Sequence, residues 1–435
     1  MAYPRRPDLN KLTSRLWEYS QLKHEYGARG IEKVYRKAEK ALQTAFKDLR
    51  KLPIDKKLAA MEPNGLKAIK ALRPKGPRKM WERFDAKTYA DRLRGAMLGR
   101  FAGCTLGAPV EFWSIDRMEE WAREIGQPFP PVEYWRRITD PHRLRYEVSR
   151  RDAYTSEKMD GVPVDDDTAY TLLGLLTVEK FGPKFTVDDN GRSWLKYLPY
   201  ACSAERVTLK NLKNKVPANK CGELDNPFCE WIGADIRSDP WGYMAPAWPE
   251  FAADMAYRDA YLSHRRQGIY GEMFFSAAIA AGFALSDPMK AIEIGLTEIP
   301  RQCALAKAVK WAMKTAPKIS SYKAARAAVD RRFKGMSGVH TINNACLTIF
   351  GIGIGGTDFT RVISEVVAMG LDNDCTAATA GSIVGACVGL KGIPEDWYKP
   401  FNNTVHSYLI GQRPFKVDDL ARRFGKQAQR VYAEV

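Results

Sequence analysis

Long apolar runs are missing from this sequence of 435 residues. No stretch reaches the roughly 18 strongly apolar residues that a membrane-spanning helix needs. The longest candidate, from about Thr376 to Leu390, is rich in Ala and Gly and is too short. The first ten residues, MAYPRRPDLN, lack the apolar core of a secretory signal peptide. We therefore expect a cytoplasmic protein that neither spans nor binds a membrane.

The patterns by which Cys and His bind metal are also missing. The eight cysteines include no C-x-x-C pair, and the closest two, Cys221 and Cys229, match no zinc pattern. None of the five histidines lies at a metal-ligand spacing from another. The cysteines therefore indicate reduced thiols in a reducing compartment.

Apolar and polar residues do not alternate with the period of two that marks β-strands. Helical periodicity is common instead, and the chain after residue 85 is interpreted as one large all-α domain, residues 85–435. The stretch IYGEMFFSAAIAAGFAL is apolar nearly all round, which predicts a buried helix. Further helices are predicted for DDDTAYTLLGLLTVEKF ending at Gly182, from Pro249, and for Pro288–Leu296, Arg301–Met313, Tyr322–Arg332, Thr341–Phe350 and Asp358–Met369.

Positive charge is concentrated at the start of the chain. Residues 1–80 hold 21 Lys/Arg and 8 Asp/Glu, a net charge of +13 out of +17 for the whole chain. Leu12 to Leu52 has helical spacing, Pro53 interrupts it, and EPNGLKAIKALRPKGPRK has the composition of a linker. We interpret residues 1–80 as a basic helical extension. It is either an arm for nucleic acid or another polyanion, or a helical hairpin docked on the main body.

Two acidic clusters stand where helices are predicted to start. The first is Asp165-Asp166-Asp167, and the second is Asp372-Asn373-Asp374 followed by Cys375. Asp is a common helix cap, which is the simpler interpretation of either cluster alone. Adjacent carboxylates are costly to bury unless a cation holds them, however, and Mg²⁺ and Mn²⁺ prefer oxygen ligands. If the clusters meet in space, they form a binuclear metal site.

Four ordered motifs make the chain resemble the ADP-ribosylglycohydrolase family, which includes the dinitrogenase reductase-activating glycohydrolase. They are RLRGAMLGRFAGCTLGAPVE, VDDDT, LSHRRQGIYGEMFFSAAIAAGF and GLDNDCTAATAGSIVGA. The resemblance implies an all-α fold, a single large orthogonal helical bundle. It also implies a centre of two Mg²⁺ or Mn²⁺ ions and hydrolysis of an N- or O-glycosidic bond of ADP-ribose.

The resemblance also assigns residues. The metal ligands would be Asp165, Asp166, Asp167, Asp372, Asp374 and Cys375, and the catalytic carboxylates would be Glu111 and Asp167. Asp165 and Cys375 stand where the family has hydroxyl residues, and Cys104 replaces an acidic one. These departures suggest a divergent, bacterial-type branch. A thiol is a poor partner for Mg²⁺, so Cys375 is either a ligand that favours Mn²⁺ or a small packed residue.

The segment WIGADIRSDPWGYMAPAWPE lies where the family holds ADP-ribose. The resemblance therefore implies substrate contacts by Gly233, Arg237, Gly242 and Tyr243, with His264 lining the pocket. The simpler interpretations are an aromatic surface loop and a structural histidine. Two other function classes remain open: a member that binds ADP-ribose or a nucleotide without turnover, and a nucleic-acid-associated protein that uses residues 1–80. The acceptor, the preferred ion and the oligomeric state are left open by the sequence.

Overall fold

The computed structural model describes Tyr3 and residues 6–435. The chain divides into two compact units, Met1–Ala60 and Met61–Val435. The first unit contains helices α1 (Leu9–Glu25) and α2 (Ile31–Lys51), and α3 (Lys56–Met61) spans the boundary.

The first unit is a helical hairpin rather than one continuous helix. The chain reverses between α1 and α2, where Gly27 and Gly30 have φ angles of +72° and +85°. Residues other than glycine rarely adopt such angles, which explains the break. The hydroxyls of Ser20 and Tyr35 are 2.9 Å apart and join the two helices. No described residue of either helix is buried, and polyanion binding by this basic segment stays a prediction.

The second unit is built almost entirely from helices, as the sequence predicts. Its first half contains α4 (Leu66–Leu72), α5 (Ala86–Gly107), α6 (Ile115–Glu124), α7 (Asp166–Phe181), α8 (Val187–Tyr197), α9 (Ser203–Lys213), α10 (Ala218–Cys221), α11 (Asp239–Met244) and α12 (Pro249–Ser263). Its second half contains α13 (Gln267–Gly282), α14 (Pro288–Gly295), α15 (Ala304–Thr315), α16 (Tyr322–Arg332), α17 (Thr341–Gly355), α18 (Phe359–Ala368), α19 (Asn373–Val388) and α20 (Val417–Glu434).

Two very short antiparallel sheets interrupt the helices, although no strands were predicted from the sequence. Strand β1 (Leu144–Arg145) pairs with β2 (Ser149–Arg150), and β3 (Thr404–Val405) pairs with β4 (Phe415–Lys416). Strands of two residues are too short to show any alternation. Within the described part of the chain, no helix has both the length and the apolarity of a membrane span.

Residues 61–80, whose composition resembles a linker, are instead packed into the second unit. Ile69 of α4 is fully buried. Arg73 and Arg78 each form a 2.5 Å ion pair with the buried carboxylate of Glu298. The lysines and arginines of this segment therefore serve partly as structural counter-ions.

Helices α5 and α19 cross with their backbones in direct contact. Gly95, Gly99 and Gly103 are four residues apart, so they share one face of α5. A β-carbon on Gly103 would lie 2.1 Å from the carbonyl oxygen of Ala377, and one on Gly385 would lie 2.1 Å from that of Gly95. Real side chains do not approach so closely, and only glycine permits this crossing.

We predict that Gly103→Ala destabilises the protein by about 1–3 kcal/mol, because the added methyl group forces α5 and α19 apart. Urea unfolding followed by circular dichroism measures the effect. Gly425→Ala is the matched control: it lies within α20, where a β-carbon would sit 3.6 Å from Tyr89, an ordinary contact. Equal unfolding midpoints for Gly103→Ala and the wild type would contradict the proposed role of the crossing.

Candidate active site

The first acidic cluster forms the start of α7. Asp165 is the N-cap residue, and its Oδ1 accepts a hydrogen bond of 3.0 Å from the backbone N–H of Asp167. Asp166 and Asp167 follow in the first turn, where the helix dipole favours negative charge. The cluster is therefore a helix cap and a concentration of carboxylates at the same time.

The second cluster precedes α19 and is held by the residue in its middle. Asn373 is buried and donates a hydrogen bond of 2.9 Å to the carbonyl of Val367. Asp372 is the N-cap residue, yet its side chain makes no capping hydrogen bond. Its carboxylate faces a cavity instead. The chain thus directs Asn373 inward and its two acidic neighbours towards the site.

The structure brings the two clusters together around one cavity of about 330 Å³. Carboxylate oxygens of Asp165, Asp167 and Asp374 lie within 4.8 Å of one another. The same holds for Glu111, Asp372 and Asp374. Asp374 belongs to both groups and is the point at which they join. Glu111 reaches the site because it follows the 3₁₀ turn Ala108–Val110 that continues α5.

The concentration of buried negative charge is reflected in the pKa values of the carboxyl groups. Burial raises the pKa of Asp165 to about 8, although the Arg145 guanidinium opposes the shift. Burial, followed by the charge of Asp374, raises the pKa of Glu111 and Asp372 well above the usual range. Burial raises the pKa of Asp167 in the same way. Each group loses water that would stabilise its charge, so a bound cation would be strongly favoured.

The donor set fits hard divalent cations. The two groups of converging ligands consist only of carboxylate oxygens, which suit Mg²⁺ or Mn²⁺. Asp374 Oδ1 is buried and has no hydrogen-bond partner among the described residues. Such an atom is costly unless another species binds it. Neither group includes Cys375, which is buried in α19 and whose pKa is raised by burial. A ligand role for this thiol stays a prediction, and the geometry favours a packed residue.

Two residues of the β1–β2 hairpin complete the acidic centre. Arg145 lies between the clusters, and the phenolic hydroxyl of Tyr146 donates a hydrogen bond of 2.7 Å to Asp166. Sequence analysis missed both, because LRYEVSR reads as an ordinary polar loop. Their positions depend on contacts between the hairpin and the start of α7, which no local pattern reveals.

The remaining walls of the cavity are largely aromatic and apolar. They include Phe112, Tyr170, Trp231, Ile232 and Val339. Flat aromatic faces of this kind are suited to stacking with a nucleobase or covering a sugar.

Glu205 and Gly233 also line the cavity, and only Gly233 was predicted. A β-carbon on Gly233 would lie 2.2 Å from Glu205 Oε1, so glycine is needed for the carboxylate to fit. Burial raises the pKa of Glu205 to about 7. No pattern around Glu205 indicated this position, because it lies on an ordinary amphipathic helix, α9.

Arg237, predicted to hold phosphate, is instead surrounded by protein carboxylates. Its guanidinium contacts Asp259 at 2.5 Å, Glu205 at 2.6 Å and Glu272 at 3.4 Å. It also donates to the Ser263 hydroxyl at 2.9 Å. The side chain is only 1% exposed. A substrate role for Arg237 stays a prediction, and the geometry favours a structural counter-ion.

The other predicted substrate residues pack inside the unit and are not among those that line the cavity. Gly242 permits contact between α11 and Ile279 of α13. Tyr243 is fully buried, and its hydroxyl lies 2.8 Å from that of Ser382. His264 is fully buried with Nδ1 2.8 Å from the Ser263 hydroxyl, and burial holds its pKa well below the usual range. Substrate roles for these three residues likewise stay predictions.

Comparisons with known proteins agree with this geometry. A sequence model of the ADP-ribosylglycohydrolase family matches residues 85–433. A solved structure described as "ADP-ribosylglycohydrolase-related protein complex" superimposes with a TM-score of 0.51 at 18% sequence identity. The match covers 80% of this chain and 99% of that one, and at this identity it shows a shared fold. A search of curated proteins finds no match.

We predict that Arg237→Met unfolds much more easily than the wild type, because three buried carboxylates lose their shared counter-ion. The expected loss is about 3–5 kcal/mol in urea unfolding. Arg206→Met is the control, since Arg206 is an exposed arginine of α9. A variant that is fully stable but binds ADP-ribose more weakly would instead favour the substrate role.

Asp235→Asn should stabilise the protein increasingly as the pH rises. Asp235 is buried, and neither carboxylate oxygen has a hydrogen-bond partner among the described residues. Burial raises its pKa well above the usual range. Its proton therefore stabilises the folded state below about pH 3.9, and this contribution is lost as the pH rises through the folded-state pKa.

The amide of Asn does not titrate, so the melting temperature of Asp235→Asn should exceed that of the wild type by a margin that grows from pH 4 to pH 8. Asp396→Asn, at an exposed carboxylate, should show no such margin. A constant difference across this range would contradict the prediction.

Proposed function

Because the chain belongs to the ADP-ribosylglycohydrolase family, we propose that it hydrolyses an N- or O-glycosidic bond of ADP-ribose or a related ribosyl substrate. The observation that carries the proposal is the convergence of two acidic helix starts on one cavity with aromatic walls. The cavity volume, about 330 Å³, lies within the range of small-molecule sites.

The residues that would hold two Mg²⁺ or Mn²⁺ ions are the converging carboxylates: Glu111, Asp165, Asp166, Asp167, Asp372 and Asp374. When bound, the ions supply positive charge that orients ribose hydroxyls and makes a water molecule more acidic. Asp166 belongs to neither group, but it lines the cavity and is oriented by the Tyr146 hydroxyl. It would therefore act as a further ligand.

The protein's own residues would guide the reaction as follows. Cleavage at the anomeric carbon of ribose passes through an oxocarbenium-like state, which surrounding carboxylates stabilise. Glu111 lines the cavity, so its carboxylate is placed to accept a proton from the attacking water. The water oxygen bonds to the anomeric carbon, the glycosidic bond breaks, and the departing N or O atom takes up the proton that Glu111 removed from the water. Asp167 is the second candidate for the base, although Arg100 contacts its carboxylate at 3.4 Å.

The aromatic wall would receive the rest of the substrate. Phe112, Tyr170 and Trp231 line the same cavity as the carboxylates. A stacked adenine would place the ribose away from bulk water and near the acidic centre. Binding of ADP-ribose without turnover is the second candidate function, and the position of Arg145 among the carboxylates is the observation that favours it.

We predict that Asp374→Asn lowers hydrolysis by about 100-fold or more, because Asp374 is shared by both ligand groups. The measurement is ADP-ribose release from a panel of arginine-, serine- and nucleobase-linked conjugates with Mg²⁺ or Mn²⁺. Circular dichroism checks the fold, and Asp396→Asn is the matched control. Wild-type turnover that survives chelation would count against the metal centre. Tight ADP-ribose binding with no release from any conjugate would select the second candidate.

A further inference from the structure

Arg145 lies at the centre of the acidic site. Its Nη1 is 3.0 Å from Glu111, and its Nη2 is 2.9 Å from Asp165 and 3.2 Å from Asp374. Glu111 belongs to one group of converging ligands, Asp165 belongs to the other, and Asp374 belongs to both. One guanidinium thus contacts carboxylates of both ligand groups.

Contacts other than carboxylates also place this side chain. Nη1 donates a hydrogen bond of 2.6 Å to the carbonyl of Ala108, and the guanidinium lies over the rings of Tyr146 and Tyr154 at 5.2 and 5.5 Å. Only 14% of the side chain is exposed. Arg145 is therefore an integral, mostly buried part of the acidic centre and not a surface residue that reaches it by chance.

The charge of Arg145 is nevertheless insufficient for the site. Six carboxylates line or form the centre, and the other nearby arginine, Arg100, is engaged at 2.6 Å by the buried Asp239. Asp374 uses Oδ2 for Arg145, while Oδ1 has no partner among the described residues. Additional positive charge would therefore stabilise these carboxylates further.

The hairpin that carries Arg145 is small and strained. Its turn places Tyr146 and Glu147 at φ angles of +52° and +59°, a region in which residues other than glycine are disfavoured. Only two residue pairs join β1 to β2. Such strain persists where surrounding contacts impose it and is typical of segments that change conformation. The acidic clusters supply those contacts.

We propose that Arg145 is an internal counter-ion of the metal centre. Its guanidinium holds the two acidic clusters together and competes with divalent cations for Glu111, Asp165 and Asp374. Metal binding then requires the β1–β2 hairpin to withdraw Arg145, so the hairpin regulates access of the ions. The proposal rests on the proposed function for the existence of the metal site.

The test is the affinity of the full-length protein for Mn²⁺, measured by isothermal titration calorimetry after removal of metal with a chelator. Arg145→Gln should bind Mn²⁺ about 10-fold more tightly than the wild type, because the competing cation is gone. Without metal the variant should melt at a lower temperature, and saturating Mn²⁺ should raise its melting temperature by more than that of the wild type. Neither measurement depends on turnover.

Two further variants separate competition from general effects of charge and structure. Arg143→Gln removes the same charge from an exposed position two residues away and should keep the wild-type affinity. Arg145→Lys keeps the charge but lacks the two-pronged donor geometry, so its affinity should lie between those of the wild type and Arg145→Gln.

Each remaining outcome decides against a particular claim. Equal or weaker Mn²⁺ binding by Arg145→Gln would overturn the competition. Failure of Arg145→Gln to fold even in millimolar Mn²⁺ would also overturn it, because the proposal requires a divalent cation to replace the guanidinium. If neither the wild type nor any variant binds Mn²⁺ or Mg²⁺, the metal centre fails, and the proposed function fails with it.

Discussion

The direct backbone contact between α5 and α19 is the constraint on which the rest of the site depends. It exists because glycines four residues apart leave no side chain between the helices. The contact also positions the acidic site, because a β-carbon on Gly107 would lie 2.5 Å from the Cα of Asp374. The same α5 leads through a single 3₁₀ turn to Glu111. One crossing therefore fixes the carboxylates of two chain segments that are more than 250 residues apart.

The fold maintains an arrangement of charge that would be unstable by itself. Carboxylates from α7, α19 and the segment after α5 are buried together, and burial raises the pKa values of Glu111, Asp165, Asp167 and Asp372. Helix N-termini and two arginines offset part of this cost. A core of buried helices such as α13, in which every residue is buried, supplies the rigidity that keeps the carboxylates from moving apart.

The sequence predicted the helical class, the buried α13, the end of α7 at Gly182 and the two acidic helix starts, because each is encoded by neighbouring residues. The positions of the other site residues depend on residues that are far away in the sequence. Arg237 looked like a phosphate ligand because its loop is rich in Gly and aromatics. Its partners Glu205, Asp259 and Glu272 lie on three separate helices, and no local pattern shows that they enclose it. Arg145 and Glu205 escaped sequence analysis for the same reason.

The acidic centre combines parts of very different rigidity. Asp374 and Glu111 belong to the closely packed α5–α19 framework, whereas Arg145 belongs to a hairpin with two residue pairs and a strained turn. A cation carried by the weaker element can leave without loosening the stronger one. Under the competition that we propose, exchange between guanidinium and metal would therefore change the charge of the cavity while the carboxylates stay in place. The energetic difference between the two states would then reside mainly in the hairpin and not in the core.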